Sequence, residues 1–109
     1  MHYLVIGHDH PGVEGRQRRA AAREEHLARL TSTTSARPVF GAGMLDEGGE
    51  MIGSILVLEA ESPAAVQAWL DDEPYVVADV WREVSVLPCQ VPPTFLPNTG
   101  GSDEESSQM

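Results

Sequence analysis

The 109-residue sequence predicts an α+β fold built as one domain, and three observations carry that expectation. Strand-like and helix-like stretches follow in the order strand, helix, strand, strand, helix, strand. Apolar residues make up 41% of the chain, ordinary for a folded protein of a size that holds one modest core. Turn chemistry separates the elements, as in His8-Asp9-His10-Pro11-Gly12 and Asp46-Glu47-Gly48-Gly49-Glu50.

Residues 2–8 alternate and are rich in Tyr, Leu, Val and Ile, which predicts the first strand. From Glu14 to about Leu30 the chain turns to Ala, Arg, Glu, Gln and Leu, all strong helix formers. On a helical wheel Ala20, Leu27 and Leu30 share a face with Arg23 among them, and His26 lies about 40° beyond Leu30. The histidine therefore falls at the border of the expected buried stripe, bracketed by Arg19 and Arg23. Thr31-Ser32-Thr33-Thr34-Ser35 stops this helix, because such side chains compete for backbone hydrogen bonds. Arg37 to Leu45 reads as a second strand, loosened by Gly41 and Gly43.

Met51 to Ala60 is the clearest strand, with Ser54, Leu56 and Leu58 on one face and Gly53, Ile55 and Val57 on the other. Two apolar faces predict a central strand covered on both sides. Ser62-Pro63 supplies an N-cap and a first-turn proline for a helix to about Leu70 that buries Val66, Trp69 and Leu70. Val80 to Leu87 is the last strand. Residues 91–109 form a Pro-, Gly-, Ser- and acid-rich tail expected to be disordered at its end, with Val91 to Leu96 free to pack on the body or on a partner chain.

The element order is the split βαβ arrangement of ferredoxin-like domains: a four-stranded antiparallel sheet with both helices on one face. The second sheet face would be a large apolar patch, so a homodimer joined through its sheets is expected.

Composition narrows the function classes. A net charge of −10 argues against nucleic acid as a partner. All seven cations are arginine, and five of them lie between positions 16 and 29, a ridge that suits a small anion or covers apolar surface with its stems. No run approaches the roughly 20 apolar residues of a membrane span, and the first residues lack signal-peptide features. The single cysteine, Cys89, suits a reducing compartment, so a cytoplasmic location is expected. It has no neighbour that would activate its thiol. His8, Asp9 and His10 lack a third ligand at a supporting spacing, and no phosphate-binding glycine loop occurs, so neither metal nor cofactor is expected.

The chemically suggestive stretch is Asp71-Asp72-Glu73-Pro74-Tyr75. Proline pushes Glu73 towards extended geometry, and three acids at the C-terminal end of a helix oppose its dipole. A carboxylate held that way is either a solvated helix terminus or half of an acid–base pair. The opposed dipole favours a local role, with Glu73 at the bend and Asp71 facing solvent. A histidine elsewhere would complete an acid–base pair, and His26 is the candidate.

These residues resemble YCII-related proteins, small α+β proteins of the dimeric α+β barrel, or ferredoxin-like, type. The likeness covers residues 1 to about 90 and rests on Arg23-Glu24-Glu25-His26-Leu27, Pro38 to Gly43, Gly53-Ser54 and Glu73-Pro74-Tyr75. The resemblance implies a pocket where a helix histidine meets the aspartate of an Asp-Pro-aromatic motif. The histidine carries over onto His26, and the aspartate position onto Glu73, one methylene longer, with the adjacent Asp72 as substitute.

It further implies a cofactor-independent lyase or isomerase acting on a small aromatic or enolic metabolite, since one relative dehydrochlorinates a chlorinated hydroxyhydroquinone. Arg23 would hold a carboxylate or phenolate of the ligand, and Ser54 would orient one of its hydroxyls. The alternative is a non-catalytic dimeric module that binds a small ligand or a partner, with the same residues shaping its pocket.

Overall fold

The computed structural model describes residues 1–96. Strand β1 spans His2–Asp9, helix α1 Gly12–Arg29, β2 Ala36–Leu45 and β3 Met51–Ala60. Helix α2 spans Pro63–Asp71, a single-turn helix α3 Pro74–Val77, and β4 Trp81–Cys89, followed by a 3₁₀ turn at Pro93–Phe95. The strands form one antiparallel sheet in the order β2-β3-β1-β4. This is the expected ferredoxin-like α+β arrangement, with β3 and β1 at its centre. The disorder expected of the tail's end falls on residues 97–109, outside the described residues. Among the described residues, no helix is long and apolar enough to cross a membrane.

Local chemistry explains the boundaries. Asp46 Oδ1 accepts from the Gly48 and Glu50 backbone N–H groups and closes the β2–β3 hairpin. Ser62 Oγ accepts from Ala65 N–H at 3.2 Å and caps α2. Helix α3 was not anticipated from sequence. Pro74 ends α2 but sits at the first position of the next helix, where its missing N–H costs nothing. Glu73, extended at φ −71° and ψ 124°, caps that helix by accepting from Tyr75 N–H. Its charge therefore meets the favourable end of a helix dipole, which corrects the expectation of an opposed one.

The core lies between one sheet face and the helices. Tyr3 and Val5 of β1 pair in register with Leu58 and Leu56 of β3, and all four are buried beneath Val66, Trp69, Leu70 and Tyr75. Gly7 continues the row opposite Ser54, and the Trp81 ring lies over it.

Helix α1 departs from the wheel. Its buried residues are Gly15, Arg19, Ala22 and His26, while Ala20 and Leu27 are exposed. The sheet-facing stripe is short-chained or polar because it borders a pocket.

The opposite sheet face carries Leu4, Ile6, Ile55, Val57, Phe40 and Leu87 in adjoining register, with Phe40 61% and Leu87 50% exposed.

A β-carbon at Gly7 would fall 2.4 Å from the Trp81 ring. Gly7→Ala should cost about 1–3 kcal/mol, the range for overpacking a core. Chemical denaturation measures it; a wild-type midpoint would show that Trp81 is not wedged against this position.

Candidate functional site

Among the described residues Glu73 is the most deeply buried charged group, with 0% exposure, and its carboxylate is fully engaged. Its Oε2 lies 2.5 Å from His26 Nδ1 and accepts from Tyr75 N–H at 3.0 Å. Its Oε1 accepts from Arg29 Nη1 at 3.0 Å. Three donors converge on one anion, which offsets the desolvation that burial imposes. Arg29 is itself tied down, donating to the Trp69 carbonyl and lying 4.5 Å over the Trp69 ring.

This arrangement fixes the histidine. A carboxylate facing Nδ1 makes that nitrogen the donor, so neutral His26 carries its lone pair on Nε2. The ring stacks on Tyr75 with centroids 4.0 Å apart and meets the Trp81 edge at 6.2 Å. His26 lines a cavity of about 250 Å³. Among the described residues its Nε2 has no hydrogen-bond partner, and that atom is not sealed from solvent.

A second cluster occupies the same cavity. Arg19 donates to both Asp9 carboxylate oxygens, at 2.7 and 3.2 Å. It also donates to Ser54 Oγ at 2.7 Å and to the Tyr75 hydroxyl at 3.4 Å. Burial raises the Tyr75 phenol above its usual range, with Arg19 and Arg23 opposing, so the hydroxyl keeps its proton. Leu27, Leu30, Ala42, Met51 and Leu56 supply apolar walls. A larger, more polar cleft of about 490 Å³ surrounds His8, Arg16 and Glu50. Arg16 faces Glu50 there at 3.8 Å and Asp9, its side chain 3% exposed, lines its wall, whereas the smaller cavity is lined by Arg19, His26, Ser54 and Tyr75 together.

Of the residues singled out in the sequence, His26, Glu73 and Ser54 converge here. Arg23 lines the mouth of the cavity, exposed and without an ion-pair partner among the described residues. Asp72 is exposed at the C-cap of α2 and makes no hydrogen bond to His26; Asp71 is exposed as expected. Sequence reasoning missed Asp9, Arg19 as a buried cation, Arg29 and Tyr75. The signal was present for two of them: Arg19 and Arg29 lie seven residues before and three after His26, on one helix face. His10 does not join a metal cluster; its Nε2 lies 3.0 Å from Asp79 Oδ1. Among the described residues no three His, Cys, Asp or Glu side chains gather as a metal site.

The family model of the YCII-related domain matches residues 1–90. The chain belongs to the YCII-related family. It is 35% identical to protein YciI of Escherichia coli O6:H1, over 81% of this chain and 95% of that one. An uncharacterized protein of Haemophilus influenzae is 32% identical over the same shares. Among solved structures, the 5-chloro-2-hydroxyhydroquinone dehydrochlorinase of Burkholderia phenoliruptrix, in complex with 2,5-dihydroxybenzoquinone, superposes with a TM-score of 0.63 at 29% identity. That likeness covers 83% of this chain and 94% of the other.

Breaking a buried ion pair from one side strands the other partner. Glu73→Ala should lose about 3–5 kcal/mol, and Asp72→Ala less than about 0.5 kcal/mol. Urea denaturation of the two variants separates them; equal losses would show that Glu73 is not the anchoring carboxylate.

Proposed function

We propose that this protein is a small cofactor-independent lyase or isomerase that uses His26 and Glu73 for acid–base chemistry on an aromatic or enolic metabolite. The observation that carries the reading is the 2.5 Å contact between His26 Nδ1 and a fully buried carboxylate, on a ring that lines the cavity. Nε2 takes a proton from an activated position of the ligand, and Glu73 stabilises the imidazolium that forms. The same imidazolium returns the proton to a leaving group or to a neighbouring carbon. Arg23, the unpaired cation at the mouth, holds a carboxylate or phenolate. The dehydrochlorinase likeness supports a lyase acting on a small aromatic ligand.

The working unit is a homodimer joined through the open sheet face, where exposed Phe40 and Leu87 extend an apolar patch that a second copy would cover. Nucleic acid is not a partner of a chain with net charge −10, and the lone exposed cysteine suits the cytoplasm.

Chloride release from 5-chloro-2-hydroxyhydroquinone tests the chemistry. Wild type should exceed the buffer rate, and His26→Gln and Glu73→Gln should each lower the enzymatic rate about 10²–10⁴-fold. Unchanged release by His26→Gln would remove the pair from the reaction. Tight binding of the compound by wild type without turnover would favour a ligand-binding module instead.

A further inference from the structure

The donor groups of the cavity are unevenly spent, and the imbalance describes the ligand. Ser54 Oγ and the Tyr75 hydroxyl each accept from the Arg19 guanidinium, and among the described residues neither donates its own proton. Both hydroxyls belong to buried residues that line the cavity with His26. A hydroxyl that accepts from a cation becomes a stronger donor, because hydrogen bonds in a chain polarise one another. Arg19 itself is neutralised by Asp9, so it serves the two hydroxyls more than it serves a ligand anion.

We propose that Ser54 and Tyr75 form an oxyanion site, backed by Arg19, for the carbonyl oxygen of an enolisable or hydroxyquinone-type substrate. The inference rests on the acid–base reading of His26 and names the substrate class for it. His26 Nε2 takes the proton as a C–H bond beside the carbonyl breaks. The bonding pair moves into the conjugated system, and charge gathers on the carbonyl oxygen, where the two O–H groups donate to it. Return of the pair and of the imidazolium proton to another carbon gives the isomer. Expulsion of a leaving group from the adjacent carbon, with the same proton, gives the elimination product. Donors aimed at developing charge in a water-poor site are the largest single contribution to many such reactions. Tyr75 suits this task because its phenol is held above the usual range and stays a donor at working pH. Arg19 is a positioning residue here: it touches the two hydroxyls, and through them the oxygen.

The probe is 2,5-dihydroxybenzoquinone, whose ionised oxygens mimic an enolate; 2,5-dimethoxybenzoquinone has the same ring without an ionisable oxygen. Calorimetric titration at neutral pH should show wild type preferring the ionised probe. Ser54→Ala and Tyr75→Phe, both close in shape to wild type, should each weaken it about tenfold, the worth of one charge-assisted hydrogen bond. The dimethoxy compound, whose carbonyl oxygens carry no charge, should lose only a few-fold in the same variants. Arg19→Lys keeps the charge but cannot serve both hydroxyls, so it should lower the ratio of the two affinities, which a purely structural role would not move. Wild-type affinity for the ionised probe in both hydroxyl variants would overturn the oxyanion site, and the His26 reading would still stand on its own turnover test. Equal affinity of wild type for the two probes would overturn it as well.

Discussion

The structure depends on one buried carboxylate. Glu73 has no contact with solvent, and an ion in that position persists only where its lone pairs are claimed by donors. The three that claim it come from two helices: His26 and Arg29 from α1, and the Tyr75 amide from α3. Meeting that requirement pins α1 against α3 and sets the angle of the imidazole. Stability and chemistry thus draw on the same interaction, because the contact that satisfies the anion also leaves Nε2 free.

The fold around it is economical in what it brings together. β1 and β3 are central strands whose helix-facing row runs Tyr3, Val5, Gly7 on one and Leu58, Leu56, Ser54 on the other. The row is large and apolar at one end and small or polar at the other, and the cavity opens where it becomes small. Gly7 admits the Trp81 ring, whose edge meets both His26 and Tyr75. Asp79, at φ 56°, ties the turn before β4 back to the β1–α1 connection through His10 and to α1 through Arg18. The cavity is therefore built on sheet and helix, with its aromatic wall followed by a short turn that one arginine and one histidine brace.

Much of this was legible in the residues. Alternation and helix-former content gave the order of elements, and Met51 to Ala60 matched its predicted strand to the residue. A carboxylate forced into position before a proline singled out Glu73, and the resemblance to YCII-related proteins supplied His26 as its partner. The wheel failed on α1 because hydrophobicity is a poor guide where a helix borders a polar cavity: Arg19 and His26 are buried there, and Leu27 sits at the cavity wall, 42% exposed. Arg29 and Asp9 were hidden for a related reason. A charged side chain in a helix or a turn looks solvated until a buried partner of opposite sign is placed beside it. The second helix near Tyr75 was missed because proline stops one helix and starts another with the same geometry.

The central claim is that Glu73 fixes the proton of His26 on Nδ1 and leaves Nε2 as the base. Nitrogen-15 NMR of the labelled histidine ring distinguishes the two tautomers directly, through the shifts of its nitrogens and their couplings to the ring protons. Neutral His26 should show a protonated Nδ1 and an unprotonated Nε2, and replacing Glu73 by Gln should allow both tautomers. A wild-type ring protonated on Nε2, or one that already exchanges between the two forms, would contradict the account.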